Sequence, residues 1–357
     1  MTRLRDHLAS LIAAEGPLSI AAFMQAALAH YYSQREPFGA RGDFTTAPEI
    51  SQVFGELIGA WCVATWEQLG SPPRFSLVEL GPGRGTLMRD ALRAARVRPA
   101  FLDAADVVLV EISPSLRQKQ REALKDARVR DLTWREHFAV REGQPLIVVA
   151  NEFFDALPIR QFVATKNGWR ERCVGLEGDA FVFVVSPTPI PREAIPAALR
   201  GAVEGSVIEA APARNALAST IGAHLTKERG AALVIDYGFL GPAVGDTLQA
   251  MRAHAFEPVL ADPGHADVTS HVDFAALTSG FVNGGAFVYG PVGQGVLLER
   301  LGARERTAAL AARATAEQRE ALESGLARLT ARDQMGSLFK ALAVASPGLK
   351  PPGFLPS

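Results

Sequence analysis

Apolar residues along this chain recur in two rhythms. Short continuous runs at residues 75–80 (FSLVEL), 107–110 (VVLV), 145–150 (PLIVVA) and 232–236 (ALVID) read as buried strands, with a shorter one near 132–134. Between them the spacing is helical. Leu87, Met88, Ala91, Leu92 and Ala95 share one face, and residues 114–127 and 213–229 repeat the pattern. Residues 50–69 carry a wide apolar face through Ile50, Val53, Phe54, Leu57, Ile58, Trp61 and Cys62, and Gly70 followed by Ser71-Pro72-Pro73 ends it. Two further helices are predicted over 3–15 and 19–32. Strands alternating with helices predict an α/β fold, a doubly wound sheet with N-terminal helices.

The rhythm changes at residue 159. IRQFVAT, WRERCVGLEG and AFVFVVS alternate, separated by Asn167-Gly168 and Gly178-Asp179, and Asn-Gly is a strong hairpin signal. An inserted β-meander is expected over 159–185. A Gly- and Pro-rich insertion follows at 241–262. Residues 271–274 open a helix, 286–289 read as a strand, 292–301 and 304–332 as helix, and 338–344 as the closing strand. The expected organisation is an N-terminal helical region packed on the core (1–70), a main domain (71–158 and 205–347), an inserted β-rich subdomain (159–204) and a disordered or draped tail (348–357).

Composition narrows the function. The 357 residues carry 37 Lys and Arg against 38 Asp and Glu, a net charge of −1, which argues against a dedicated nucleic-acid surface. Cys62 and Cys173 make neither a zinc pattern nor a disulfide framework, so no metal is expected and a reducing compartment is the default. No apolar run reaches the ~18 residues of a membrane span. The N-terminus, with Asp6 and Glu15, reads as a folded helix and not a signal peptide. A bacterial cytoplasmic protein is the plain expectation.

The first strand runs into Glu79 and then Gly81-Pro82-Gly83-Arg84-Gly85-Thr86 at a helix start. In an open α/β sheet a ligand sits at this point, and glycines let backbone approach it. The dinucleotide pattern G-x-G-x-x-G is not matched, because the third glycine comes one residue early and Thr86 takes its place. A triphosphate loop is excluded by the missing Gly-Lys-Ser/Thr ending. Glu111 closes the second strand, where such folds hydrogen-bond ribose hydroxyls. Thr46 and Glu49 have capping-box spacing with Pro48 in the first turn, so helix initiation is one reading of them.

The Glu-x-Gly-x-Gly-x-Gly turn resembles motif I of class I S-adenosylmethionine-dependent methyltransferases. Three stretches are more specific. GDFTTAPEISQVFGE (42–56), VELGPGRGTLM (78–88) and NEFFDALP (151–158) resemble the MidA-like family, whose mitochondrial members are complex I assembly factors that act as protein arginine methyltransferases. DYG (236–238), GDTLQAMRAH (245–254) and DVTSHVDF (267–274) are similar to later blocks, with Gln249 where the family often has Arg. The resemblance covers nearly the whole chain. It implies a class I methyltransferase (Rossmann-like) fold, S-adenosyl-L-methionine as cofactor, and a protein arginine as acceptor, for example on a respiratory complex I subunit. The implied cofactor set is Glu79, Gly81, Pro82, Gly83, Gly85, Thr86, Glu111, Asn151 and Thr46, with Asp43, Thr45 and Thr46 forming a lid.

A guanidinium is cationic and a poor nucleophile. Carboxylates can grip it, aim one nitrogen and receive its proton. Glu152 and Asp155, just past the fourth strand, are the candidate catalytic acids, and His271 a third candidate. Capping for Glu152, turn chemistry for Asp155 and a structural role for His271 are the bland alternatives. A small-molecule methyltransferase and an assembly chaperone that binds the cofactor structurally are the competing functions. A nicotinamide dehydrogenase is disfavoured by the glycine spacing.

Overall fold

The computed structural model describes residues 3–34 and 46–354. The continuous apolar runs form the middle of an eight-stranded sheet. Its principal strands are β1 (Phe75–Leu80), β2 (Ala105–Val110), β3 (Asp131–Arg135), β4 (Leu146–Asn151), β5 (Gly230–Phe239), β6 (Phe287–Gly293) and β7 (Phe339–Ala345), in the spatial order β3-β2-β1-β4-β5-β7-β6. Strands β1 to β5 are parallel, β7 runs antiparallel to β5, and β6 is antiparallel to β7. Every residue of β1, β2 and β4 is buried, which is why these stretches read as unbroken apolar runs and not as alternation. Chain direction across the sheet reverses between β1 and β4, the switch point at which such sheets bind ligands. The doubly wound reading holds.

Helices cover both faces. On one, α4 (Gln52–Gln68) and α5 (Thr86–Ala94) pack Phe54, Trp61 and Met88 against Leu77 and Ile147. Their approach is close: a Cβ on Gly59 would lie 2.5 Å from the Ala91 carbonyl oxygen. On the other face, the helices Pro212–Glu228 and Phe274–Asn283 pack Ile221 and Phe281 against Val78, Val148 and Val234.

Several elements differ from expectation in extent or partner. The single helix expected over 50–69 is broken. A short α3 (Ala47–Ile50) ends at Ser51, whose extended backbone and side chain cap α4 by accepting from Val53 N. The inserted meander comprises Arg160–Thr165, Gly168–Glu177 and Ala180–Pro189, and Val207–Ala210 adds a strand to it beyond residue 204. The N-terminal helices α1 (Arg3–Glu15) and α2 (Ile20–Gln34) do not join the core of the main sheet. They bury Leu8, Phe23 and Met24 with Val174 and Phe181 of the insertion, and Leu18–Ser19 pairs with Cys173 and Val174. An apolar stripe announces that a face is buried but not what buries it, and this partner lies some 150 residues away in sequence. The insertion expected at 241–262 forms, with Asp267–Thr269, a three-stranded sheet. The tail is draped, not disordered, up to residue 354: Leu349 and Phe354 are buried, and Tyr289 donates to the Leu349 carbonyl at 2.8 Å. Among the described residues, no helix is long and apolar enough to cross a membrane.

Candidate active site

The glycine turn adopts the conformation its composition demands. Gly81, Gly83 and Gly85 have φ of +61°, +53° and +82°, the left-handed region. Gly81 has a second reason to lack a side chain, since a Cβ there would lie 2.8 Å from Phe153 Cδ2. Gly85 is the N-cap of α5. The turn meets the end of β4, and one cavity is lined by Thr46, Pro48, Glu49, Glu79, Gly81, Pro82, Gly83, Arg84, Thr86, Leu87, Asn151 and Glu152. Residues from three separate sequence motifs thus meet on one void.

The polar groups of this cavity are under-satisfied. Glu79 is 3% exposed, and burial pushes its carboxyl up to about 8. Its Oε2, and the Oδ1 of Asn151, have no hydrogen-bond partner among the described residues. Buried acceptors without donors are costly, and such acceptors suit a ligand that brings donors and positive charge. Glu152 has φ of +51°, unusual for a residue with a side chain. Its Oε1 accepts from Ala47 N and from Asn151 Nδ2, both at 3.1 Å. Burial raises the Glu152 carboxyl to about 7, against the pull of those two donors and with help from the neighbouring Asp155.

The short α3 lies across the cavity. The capping box expected of Thr46 and Glu49 does not form: Thr46 is the N-cap but its side chain makes no capping bond. Glu49 instead accepts from the Thr86 hydroxyl at 2.5 Å and faces Arg84 at 3.9 Å. Local spacing matches a capping box, but the Glu49 side chain is taken up by the long-range partner Thr86 instead. Of the lid residues, Asp43 and Thr45 lie outside the described residues, and Thr46 lines the cavity.

The remaining candidates stand apart from this void. Glu111 closes β2 with 7% exposure, accepting from Ser113 N at 2.8 Å and Gln120 Nε2 at 3.3 Å. Burial raises its carboxyl, and these bonds oppose the rise. Gln120, which sequence reasoning passed over, also donates to the Gly83 carbonyl at 2.7 Å and so joins the turn to the end of β2. Asp155 is buried behind Glu152. Burial raises its carboxyl, with Tyr237 and Arg214 pulling against it. His271 is not at a helix start. Val272 and Asp273 extend the sheet beside Gly238 and Phe239, and Asp273 caps the following helix through Ala275 N and Ala276 N. The His271 ring is half-buried against Tyr237, 5.4 Å between centroids, and it lines a separate small cavity with Arg214 and Glu209. Burial lowers its pKa.

The sheet order, the glycine turn and an acid-lined cavity at the switch point define a class I methyltransferase-type site. Comparison with known proteins agrees. A model of an S-adenosyl-L-methionine-dependent methyltransferase family matches residues 57–292, and the chain belongs to that family. It is 34% identical to the Drosophila melanogaster protein named protein arginine methyltransferase NDUFAF7 homolog, mitochondrial, over 96% of this chain and 84% of that one. It is 32% identical to the human protein arginine methyltransferase NDUFAF7, mitochondrial, over 96% and 83%. A crystal structure from Burkholderia thailandensis bound to S-adenosyl-homocysteine superimposes with a TM-score of 0.86 at 28% identity, covering 98% of this chain and 93% of that one. The cofactor is S-adenosyl-L-methionine, and the cavity suits it. The cofactor carries an ammonium and a sulfonium, and the orphaned acceptors Glu79 Oε2 and Asn151 Oδ1 offer complementary charge and lone pairs.

Proposed function

We propose that this methyltransferase acts on an arginine of a protein partner, with Glu152 as the acid that meets the guanidinium. The observation that carries the reading is the Glu152 carboxylate. It stands at the end of β4 in the same cavity as the glycine turn, with its carboxyl raised to about 7. The bound cofactor supplies an electrophilic methyl group. The acceptor nitrogen gains that methyl and loses one proton, which needs a base with affinity near neutral pH. Glu152 in its charged form attracts the guanidinium, orients one nitrogen and takes the proton. Asp155 adds negative charge behind it. Glu79 and Asn151 hold the cationic end of the cofactor, Thr46, Pro82 and Thr86 shape its pocket, and Glu111 holds its ribose. His271 is a weaker candidate, since its ring faces another cavity.

The names of the relatives support a protein acceptor and an arginine. A respiratory complex I subunit is the partner that the MidA-like resemblance suggests. Two carboxylates near the transfer point favour a cationic acceptor over a neutral small molecule. Mass spectrometry of cells with and without the protein tests this directly. At least one methylated arginine should vanish with the gene. An unchanged set of methylarginines, with a different methylated product lost, would overturn the arginine assignment.

A further inference from the structure

The loop bearing Glu152 and Asp155 is held between a buried carboxyl and a buried guanidinium. Asp236, in the C-terminal half of β5, is fully buried. Its Oδ2 accepts three successive backbone amides of the loop, Phe153 at 3.2 Å, Phe154 at 3.0 Å and Asp155 at 3.2 Å. Arg214 does the converse from the first turn of the helix Pro212–Glu228. It is 3% exposed, and its Nη2 donates to the carbonyls of Asp155 at 3.0 Å and Leu157 at 3.3 Å. The same nitrogen reaches the Ser270 hydroxyl at 2.6 Å, and Nη1 donates to the His271 carbonyl at 2.8 Å. Ser270 N closes the knot on the Asp155 carbonyl at 3.1 Å. One buried carboxyl therefore holds the donors of the loop and one guanidinium holds its acceptors; burial, then Asp155 and Glu152, raise the Asp236 carboxyl, against the pull of Arg214.

A buried guanidinium whose acceptors here are carbonyls and a hydroxyl is expensive for mere cross-linking, and neutral donors could tie the same segments at lower cost. What a neutral group could not supply is charge. Asp155, Asp236, Glu209, Tyr237 and His271 all face the Arg214 guanidinium closely enough to feel it. Removing that charge would leave the two aspartates buried with less to hold them ionised.

We propose that Arg214 is a positioning residue for methyl transfer: it fixes the backbone of residues 155–157 against residues 270–271 and keeps negative charge available behind the acceptor. The proposal rests on the reading of Glu152 as the acid that meets the acceptor, with Asp155 behind it. It also gives a role to Ser270 and His271 of the DVTSHVDF stretch, which act here through backbone and hydroxyl.

The test compares the full chain with Arg214→Met and Arg214→Lys. Hydrogen exchange followed by mass spectrometry, in the presence of S-adenosyl-homocysteine, needs no acceptor. In Arg214→Met, segments 152–158 and 269–272 should lose protection together by about tenfold or more, while the glycine turn stays protected and affinity for S-adenosyl-homocysteine changes less than about threefold. The rate of methylarginine formation in an extract of cells lacking the protein should fall on the order of 10²-fold, the scale of a misplaced reacting group. The acid limb of the rate's pH profile should move to higher pH in Arg214→Met and stay in place in Arg214→Lys, which keeps the charge. Unchanged protection of both segments, loss of cofactor affinity in parallel with rate, or the same pH limb in all three proteins would overturn the proposal. Should Arg214→Met fail to fold, Arg214→Lys alone decides: lost protection with an unmoved limb supports positioning, and full protection with normal rate refutes it. Loss of protection alongside a fully active Glu152→Gln enzyme would instead sink the acid assignment and leave the positioning result standing.

Discussion

Thr86 donates its hydroxyl to the Glu49 carboxylate at 2.5 Å, and this bond, beside the Arg84–Glu49 ion pair at 3.9 Å, fastens α3 to the glycine turn across the cofactor cavity. The other end of α3 is fastened by Ala47 N on Glu152. The short helix is thus pinned both to the turn and to the acid, so the cover of the cavity and the proposed catalytic carboxylate share their restraints.

Breaking the first restraint should weaken cofactor binding without unfolding the protein. Thr86→Val keeps the shape and removes the donor. A charge-assisted hydrogen bond is worth about 1.5–3 kcal/mol, so losing it should loosen α3, raise the Kd for S-adenosyl-homocysteine by up to about tenfold and lower the ligand-free Tm by a few degrees. Isothermal titration calorimetry checks this: an unchanged Kd in folded Thr86→Val would contradict it.

Gly81 should tolerate no side chain. In Gly81→Ala the new methyl meets Phe153 and the residue must hold φ of +61°. Left-handed backbone in a residue with a Cβ costs on the order of 1 kcal/mol even without the contact. The variant should lose cofactor affinity and also loosen residues 152–155 in hydrogen exchange. Loss of affinity with an undisturbed acid loop would contradict the contact.

The raised carboxyl of Glu79 makes a signed statement about pH. Its ordinary value is 4.5 and its folded value about 8. Between those values the unfolded chain has ionised while the folded chain still holds its proton, so the ligand-free protein loses stability as pH rises from about 4.5 to 8. Below that window the group contributes no penalty. Glu79→Gln should therefore raise the ligand-free Tm at pH 8 and change it little near pH 4.5, as read by differential scanning calorimetry. The ammonium that S-adenosyl-homocysteine shares with the cofactor favours the ionised form, so wild-type affinity for S-adenosyl-homocysteine should climb with pH up to about 8, and this dependence should shrink in Glu79→Gln. A Tm difference that is the same at both pH values would refute the assignment.

Much of this site was legible along the chain because its parts are local. Glu79, the three glycines and Thr86 fall within eight residues, and the strand-turn-helix period around them fixes where they sit. Asn151 and Glu152 are legible for the same reason, at the end of an unbroken apolar run. Asp236 and Arg214 were not legible as a pair of anchors. Their contacts to the loop cross 81 and 59 positions of sequence, and an Asp in a strand or an Arg in a first helical turn has many uses. Glu49 was misjudged because a correct local pattern competed with Thr86, which lies 37 positions away. His271 drew attention as a histidine, whereas the structure employs its backbone: its amide donates to the Thr247 hydroxyl and its carbonyl accepts from Arg214.

The most direct measurement of the central claim is the rate of methylarginine formation by cofactor-saturated Glu152→Gln enzyme, in an extract of cells lacking the protein. The substitution keeps the size and removes the charge and the proton acceptor. The rate should fall about 10²- to 10⁴-fold, with affinity for S-adenosyl-homocysteine nearly unchanged. A near-normal rate in a folded, cofactor-saturated Glu152→Gln enzyme would contradict the account and leave Glu152 as no more than the group that holds Ala47 N.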